Sequence, residues 1–227
     1  MRFLMNVSTK QSWRDHMTTL NHHRSHTLTS RVGNIQWNRM RIGIMCSGEG
    51  TNFQNIVTYP QMKHEVVLMI HNTKKCGAAK RAEKWGIPHV RVAHKDEDQM
   101  IQLFNAWRVD LIVLAGYMRV LKKPSEFPCP IINVHPSLLP KYKGLHAVEQ
   151  ALESGDKESG CTVHYVNEEL DGGAIIEQSV VPICPDDTVE TLTHRIQRAE
   201  YRLLPHVINN YESKKSTTES TRATMAL

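Results

Sequence analysis

The chain has 227 residues, 40% of them hydrophobic and 22% charged, with a formal net charge of +5. That length admits one large domain or two small ones, and a domain of this size buries a substantial core by itself. The positive charge is local: residues 1–41 hold seven Lys/Arg and one Asp, so the other 186 carry −1, which argues against a nucleic-acid-binding domain.

Residues 1–39 are rich in Thr, Ser, Asn, His and Arg and show no sustained periodicity, so they read as a disordered basic extension. Their Arg-rich, acid-poor composition also fits an organelle transit peptide. A start placed too far upstream is a third reading, because Met40-Arg41 directly precedes the first apolar run. From there apolar runs alternate with helical patterns. RIGIMCS (41–47) reads as a buried strand and TNFQNIVTY as a short helix. HEVVLMI (64–70) is a second strand, and CGAAKRAEKWG (76–86) is a helix closed by Gly86. PHVRVA (88–93) is a weak strand and EDQMIQLFNAW (97–107) an amphipathic helix. DLIVLAG (110–116) and PIINVH (130–135) are strands, and HAVEQALESG (146–155) is helical. CTVHYVNEEL (161–170) and AIIEQSVVPI (174–183) alternate with period two and lie close together, as an antiparallel pair would. DTVETLTHRIQRAEYRLLPHVINNY (187–211) starts on an Asp/Thr cap and runs as a long amphipathic helix, which Pro205 is expected to kink or divide. Residues 212–227 form a polar tail. The order predicts an α/β fold: a Rossmann-like, doubly wound, mostly parallel sheet with helices on both faces, ending in an antiparallel pair.

Five cysteines lie far apart without a C-x-x-C, which suits reduced thiols in a cytoplasmic setting. No apolar run approaches the roughly 20 residues of a membrane span, so no membrane partner is expected. In an open parallel sheet, ligands bind beyond the carboxyl ends of the strands. Every distinctive loop here falls at such an end. SGEGTN (47–52) has two glycines for close backbone approach and Thr51 and Asn52 at a helix start, where an anion is favoured. The full Walker and G-x-G-x-x-G patterns are absent, so one phosphate monoester fits this loop better than a dinucleotide; a plain glycine-rich turn fits it as well. In NVHPSLLP (133–140), Asn133 and His135 are two apart on a strand and so share a face. An amide donor beside a proton carrier suits acyl transfer through a tetrahedral intermediate. No Ser or Cys nucleophile sits in a suitable turn, which favours direct transfer. Asp171, in LDGG (170–173), is the candidate carboxylate partner of His135. These residues lack compact ligand spacing, so no metal is expected.

SGEGTN, LAGYMRVL, INVHPSLLPKYKGLHAVEQALESG, GCTVHYVNEELDGGAIIEQ and DDTVETLTHRIQRAE occur in the order found in the phosphoribosylglycinamide formyltransferase family of purine synthesis, which residues 40–211 resemble. The resemblance implies transfer of the formyl group of 10-formyltetrahydrofolate, as co-substrate, to the amine of a glycinamide ribonucleotide. It implies Asn133, His135 and Asp171 as catalytic residues. It gives the ribonucleotide Gly50, Thr51 and Asn52 at its phosphate, with Gln197 and Glu200 as further contacts. It gives the folate Met118, Arg119, Val120 and Leu121, and the loop Asn167, Glu168, Glu169, Leu170 and Asp171, with Asn133 also touching it. Glu49 and Thr51 depart from the usual Asn and Ser of the phosphate loop, and Lys95 stands in for an Arg at the folate tail.

Formyltetrahydrofolate hydrolase and methionyl-tRNA formyltransferase share the Asn–His–Asp core. The expected absence of a regulatory domain before residue 40, or of a folded domain after Tyr211, favours the ribonucleotide enzyme. A non-catalytic folate- or nucleotide-binding module is a further alternative, against which the complete triad argues. Small molecules are the expected partners, with the protein a monomer or homodimer.

Overall fold

The computed structural model describes residues 39–211; the expected N-terminal extension before Arg39 and the C-terminal tail lie outside the described residues. The chain runs through β1 (Arg41–Cys46), α1 (Thr51–Val57), β2 (Glu65–His71), α2 (Gly77–Trp85) and β3 (His89–Arg91). It continues through α3 (Glu97–Ala106), β4 (Leu111–Leu114), a 3-10 turn (Pro124–Glu126), β5 (Ile131–His135) and α4 (Ala147–Glu153). β6 (Glu158–Tyr165), β7 (Ile175–Pro182) and α5 (Val189–Asn209) complete it. The strands form one sheet in the order β3-β2-β1-β4-β5-β6-β7. The first five are mutually parallel, and β6 and β7 are antiparallel to their neighbours. This is the doubly wound sheet with an antiparallel C-terminal pair that the strand–helix alternation predicts.

Both faces of the sheet are covered, which explains why the central strands are continuous apolar runs. Successive residues go to opposite cores: Ile42, Ile44, Leu111 and Val113 pack on one side with the stripe of α5, and Met45, Ile112 and Leu114 on the other with Met100 and Phe104 of α3. The strand order reverses between β1 and β4, where a crevice opens at the carboxyl ends.

Two expectations need correction. The antiparallel pair begins earlier and ends sooner than its pattern implies. β6 starts at Glu158 because that residue already pairs with Pro182, and it stops at Tyr165. Residues 166–174 leave the sheet as a loop, which closes tightly: Tyr165 N–H donates to Ala174 O at 2.9 Å. A Cβ on Gly173 would lie 1.8 Å from Tyr165 O, so only glycine fits there. Pro205 does not divide the last helix, which continues past it to Asn209. An interior proline costs about 3 kcal/mol. Leu203, Leu204, Val207 and Ile208 flank it and are all buried, and each is worth about 1.5–3 kcal/mol, so the stripe holds the helix together.

Candidate active site

The loops that follow β1, β4 and β5 converge with the 166–174 loop and α5 on a cleft of about 880 Å³. Its floor is set by backbone links between strand ends. Ser47 N–H donates to Gly116 O at 3.0 Å, and the Ser47 hydroxyl accepts from Met118 N–H at 2.8 Å. Gly50 caps α1 with φ 73°, a left-handed conformation that disfavours side chains. A Cβ there would also meet Ala78 Cβ at 2.5 Å, so the loop is pressed onto α2. Thr51 and Asn52 then open α1 facing the cleft. Glu49 lies over the start of α2, where a Cβ on Gly77 would come within 2.4 Å of its carboxylate. The positive end of that helix faces its charge as well.

Asn133 and His135 both line the cleft from the end of β5. His135 Nδ1 is 3.3 Å from Asp171 Oδ2, and its Nε2 is 2.8 Å from the carbonyl of Tyr142. Both neighbours accept hydrogen bonds. A neutral imidazole has one N–H and can serve only one of them, whereas the charged ring serves both. Asp171 has φ 48° and accepts from Gly144 N–H at 2.8 Å. Burial pushes its carboxyl up, but the adjacent His164 ring, the Gly144 amide and the His135 ring outweigh that and hold it below the usual aspartate value.

His164 is a site residue that inspection of the sequence missed. It stands opposite Asn133 in the β5–β6 register and is 2% exposed. Its Nδ1 lies 2.8 Å from the Tyr165 carbonyl and so donates, while Nε2 lies 3.2 Å from the Asn133 amide nitrogen and 3.6 Å from Asp171 Oδ1. The Asn133 side chain is thereby fixed with one N–H to spare. The available signal was a lone imidazole within the strand ESGCTVHY, next to the apolar Val163.

The other expected residues also gather here. Gln197 and Glu200 reach the cleft from α5, and Met118, Arg119, Val120 and Leu121 form the opposite wall. Asn167, Glu169, Leu170 and Asp171 line it from the loop, but Glu168 does not. Lys95 is also absent from the wall. Instead Glu97 is buried beside this segment and accepts the amides of Lys122 and Lys123 at 2.8 and 2.9 Å, which anchors the end of the 118–121 wall. Among the described residues, no group of three or more His, Cys, Asp or Glu is arranged to hold a metal.

Glu200 occupies a core-facing position of the α5 stripe, between Ala199 and Leu203. Burial pushes its carboxyl up to about 7, against the opposing pull of Asn52 Nδ2, which donates to it at 3.0 Å. The folded state therefore holds a proton that the unfolded state releases, so this group's contribution falls as pH rises from the ordinary glutamate value to about 7. Glu200→Gln should raise stability at pH ~8 by on the order of 2 kcal/mol and change it little at pH ~4. Denaturant unfolding at the two pH values measures this, and an equal effect at both would reject it.

Residues 40–208 match the formyl transferase family. The chain is 40% identical over 180 residues to phosphoribosylglycinamide formyltransferase of Haemophilus influenzae, covering 74% of this chain and 85% of that one. It is 44% identical over 184 residues to the trifunctional purine biosynthetic protein adenosine-3 of Drosophila melanogaster, but that match spans 75% of this chain and only 14% of the longer protein. Glycinamide ribonucleotide transformylase 1 from Symbiobacterium toebii has a similar structure, with TM-score 0.74 and 36% identity over 80% of this chain and 92% of that one. With most of the chain matched and the same fold found in a structure of that name, the chain belongs to the formyl transferase family.

Proposed function

We propose that the protein is a phosphoribosylglycinamide formyltransferase of purine biosynthesis, with residues 40–211 as its catalytic domain. The carrying observation is the set Asn133, His135 and Asp171 on one cleft of about 880 Å³, in a chain of the formyl transferase family. The cleft chemistry fits the expected ligands. Met118, Val120, Leu145 and Leu170 present exposed apolar surface on its walls, suited to the flat pterin of 10-formyltetrahydrofolate. Thr51 and Asn52 line the same cleft at the start of α1, where polar groups suit a ribonucleotide.

The folate supplies the formyl carbon that the ribonucleotide amine attacks, and negative charge develops on the formyl oxygen. Asn133 offers its spare N–H to that oxygen at no cost in charge. His135, whose two ring nitrogens face Asp171 and the Tyr142 carbonyl, stands beside it as the proton carrier. Asp171 orients the His135 ring through Nδ1 while protons leave the attacking nitrogen and reach the departing one. The Gly50–Asn52 loop holds the phosphate, and Gln197 and Glu200 hold the rest of the ribonucleotide. Met118 to Leu121 and Asn167 to Asp171 hold the folate. The same reading makes the protein a cytoplasmic enzyme of small-molecule substrates.

Formyl transfer from 10-formyltetrahydrofolate to glycinamide ribonucleotide, to tRNA and to water, measured in parallel, tests this. Turnover with the ribonucleotide should exceed the other two by orders of magnitude and should persist in the presence of a chelator. Dominant hydrolysis or tRNA formylation would replace the proposal, and metal-dependent recovery after chelation would add a metal to it.

A further inference from the structure

The segment 137–146 joins β5 to α4 and touches both members of the His135–Asp171 pair. The Tyr142 carbonyl accepts from His135 Nε2 at 2.8 Å, and two residues later Gly144 N–H donates to Asp171 Oδ2 at 2.8 Å. One short stretch of backbone thus sets the position of a ring nitrogen and of the carboxylate that faces the other nitrogen. Tyr142 holds this backbone with φ 57°, a left-handed conformation that a non-glycine residue keeps only where its surroundings enforce it.

The enforcing contacts lie away from the cleft. The Tyr142 hydroxyl is 2.6 Å from Asp156 Oδ2 and 2.7 Å from Ser154 Oγ, just beyond the end of α4. Asp156 is fixed in turn, since its N–H donates to Ser154 Oγ at 3.1 Å and its carboxylate pairs with Lys141 Nζ at 2.6 Å. Ser137 supports the same turn from within, with its hydroxyl donating to Lys141 O at 2.6 Å. Asp156 and Ser154 do not line the cleft.

We infer that Tyr142 is a positioning residue: its phenol, anchored on Asp156 and Ser154, aims its own carbonyl at His135 Nε2 and so orients the catalytic imidazole. This deepens the formyl-transfer reading and rests on it for its kinetic consequences. The groups facing His135 are then Asp171 from the β6–β7 loop, with His164 of β6 behind it, and the Tyr142 carbonyl from the 137–146 segment. Lys143 and Glu169 pair with each other at 2.6 Å nearby.

Tyr142→Phe keeps the ring and removes the anchor. In the full chain it should lower kcat by about ten-fold and leave KM for both substrates within about three-fold, as for a misaimed catalytic group. The 15N shift of His135 Nε2, assigned by its loss in His135→Asn, should move towards a weaker hydrogen bond. Asp156→Asn should act in the same direction, and the double variant should add little to either single one. The NMR signal needs no substrate. If the wild type transfers no formyl group, the functional reading fails while the positioning role is still decided. An unchanged Nε2 shift in both variants, with or without a fall in melting temperature, would reduce the phenol to a structural contact and overturn the inference.

Discussion

Asp171→Asn should lower turnover on the order of 100-fold or more and change the KM for either substrate little. The substitution keeps the shape of the side chain and removes its charge. Asp171 is well placed for this test, because its side chain is 8% exposed and makes three distinct contacts. Its carboxylate is 3.3 Å from His135 Nδ1, 3.6 Å from His164 Nε2 and accepts the Gly144 amide at 2.8 Å. An asparagine oxygen can keep the Gly144 hydrogen bond. The same oxygen faces His135 Nδ1, so an acceptor remains there; what is lost is the negative charge, and the amide NH2 takes the place of the Oδ1 beside His164 Nε2.

The pH dependence separates this electrostatic role from a structural one. The Asp171 carboxyl lies below the usual aspartate value, so its contribution is present above that value and is lost as pH falls through the lower folded one. The melting temperature of Asp171→Asn should therefore fall short of wild type near neutrality and converge with it in acid. Near-normal turnover would show that Asp171 only shapes the turn before Gly172 and Gly173.

Much of this architecture was legible in the sequence, and the limits of that legibility have physical causes. The buried strands read clearly because a sheet covered on both faces needs continuous apolar runs, as in Ile42–Cys46 and Leu111–Leu114. Asn133 and His135 share a face through the two-residue period of a single strand, which is a local fact. His164 does not reveal itself in this way. Its partnership with Asn133 exists only through the antiparallel β5–β6 register, across 31 residues of chain. Glu200 and Asn52 are 148 residues apart, so their hydrogen bond is a product of the packing of α1 against α5. Tyr142 is harder still, since its backbone carbonyl faces His135 and no side-chain pattern marks a carbonyl. Pro205 does not end the helix because the apolar residues around it, Leu203, Leu204, Val207 and Ile208, are buried.

Thr51→Asp tests the other end of the cleft and should raise the KM for the ribonucleotide on the order of 100-fold or more. Thr51 is the first residue of α1, after the left-handed Gly50, and it lines the cleft. An aspartate there suits the fold, because a negative charge in the first helical turn is favourable by about 0.3–1 kcal/mol. The variant should therefore melt no lower than wild type. For a bound phosphate the same charge is repulsive. Two unit charges about 4 Å apart in an environment of effective dielectric ~20 interact by about 4 kcal/mol, and salt reduces this for a partly exposed loop. The hydroxyl donor is lost as well. Folate binding should survive, because Met118 to Leu121 and Asn167 to Asp171 lie on other loops of the cleft. Equilibrium binding of each ligand, together with a melting curve, separates the outcomes. Ribonucleotide affinity lost with folate affinity retained assigns the Gly50–Asn52 loop to the phosphate. Equal loss of both ligands would make the loop a support for the whole cleft. Unchanged ribonucleotide binding would require the phosphate to be held elsewhere.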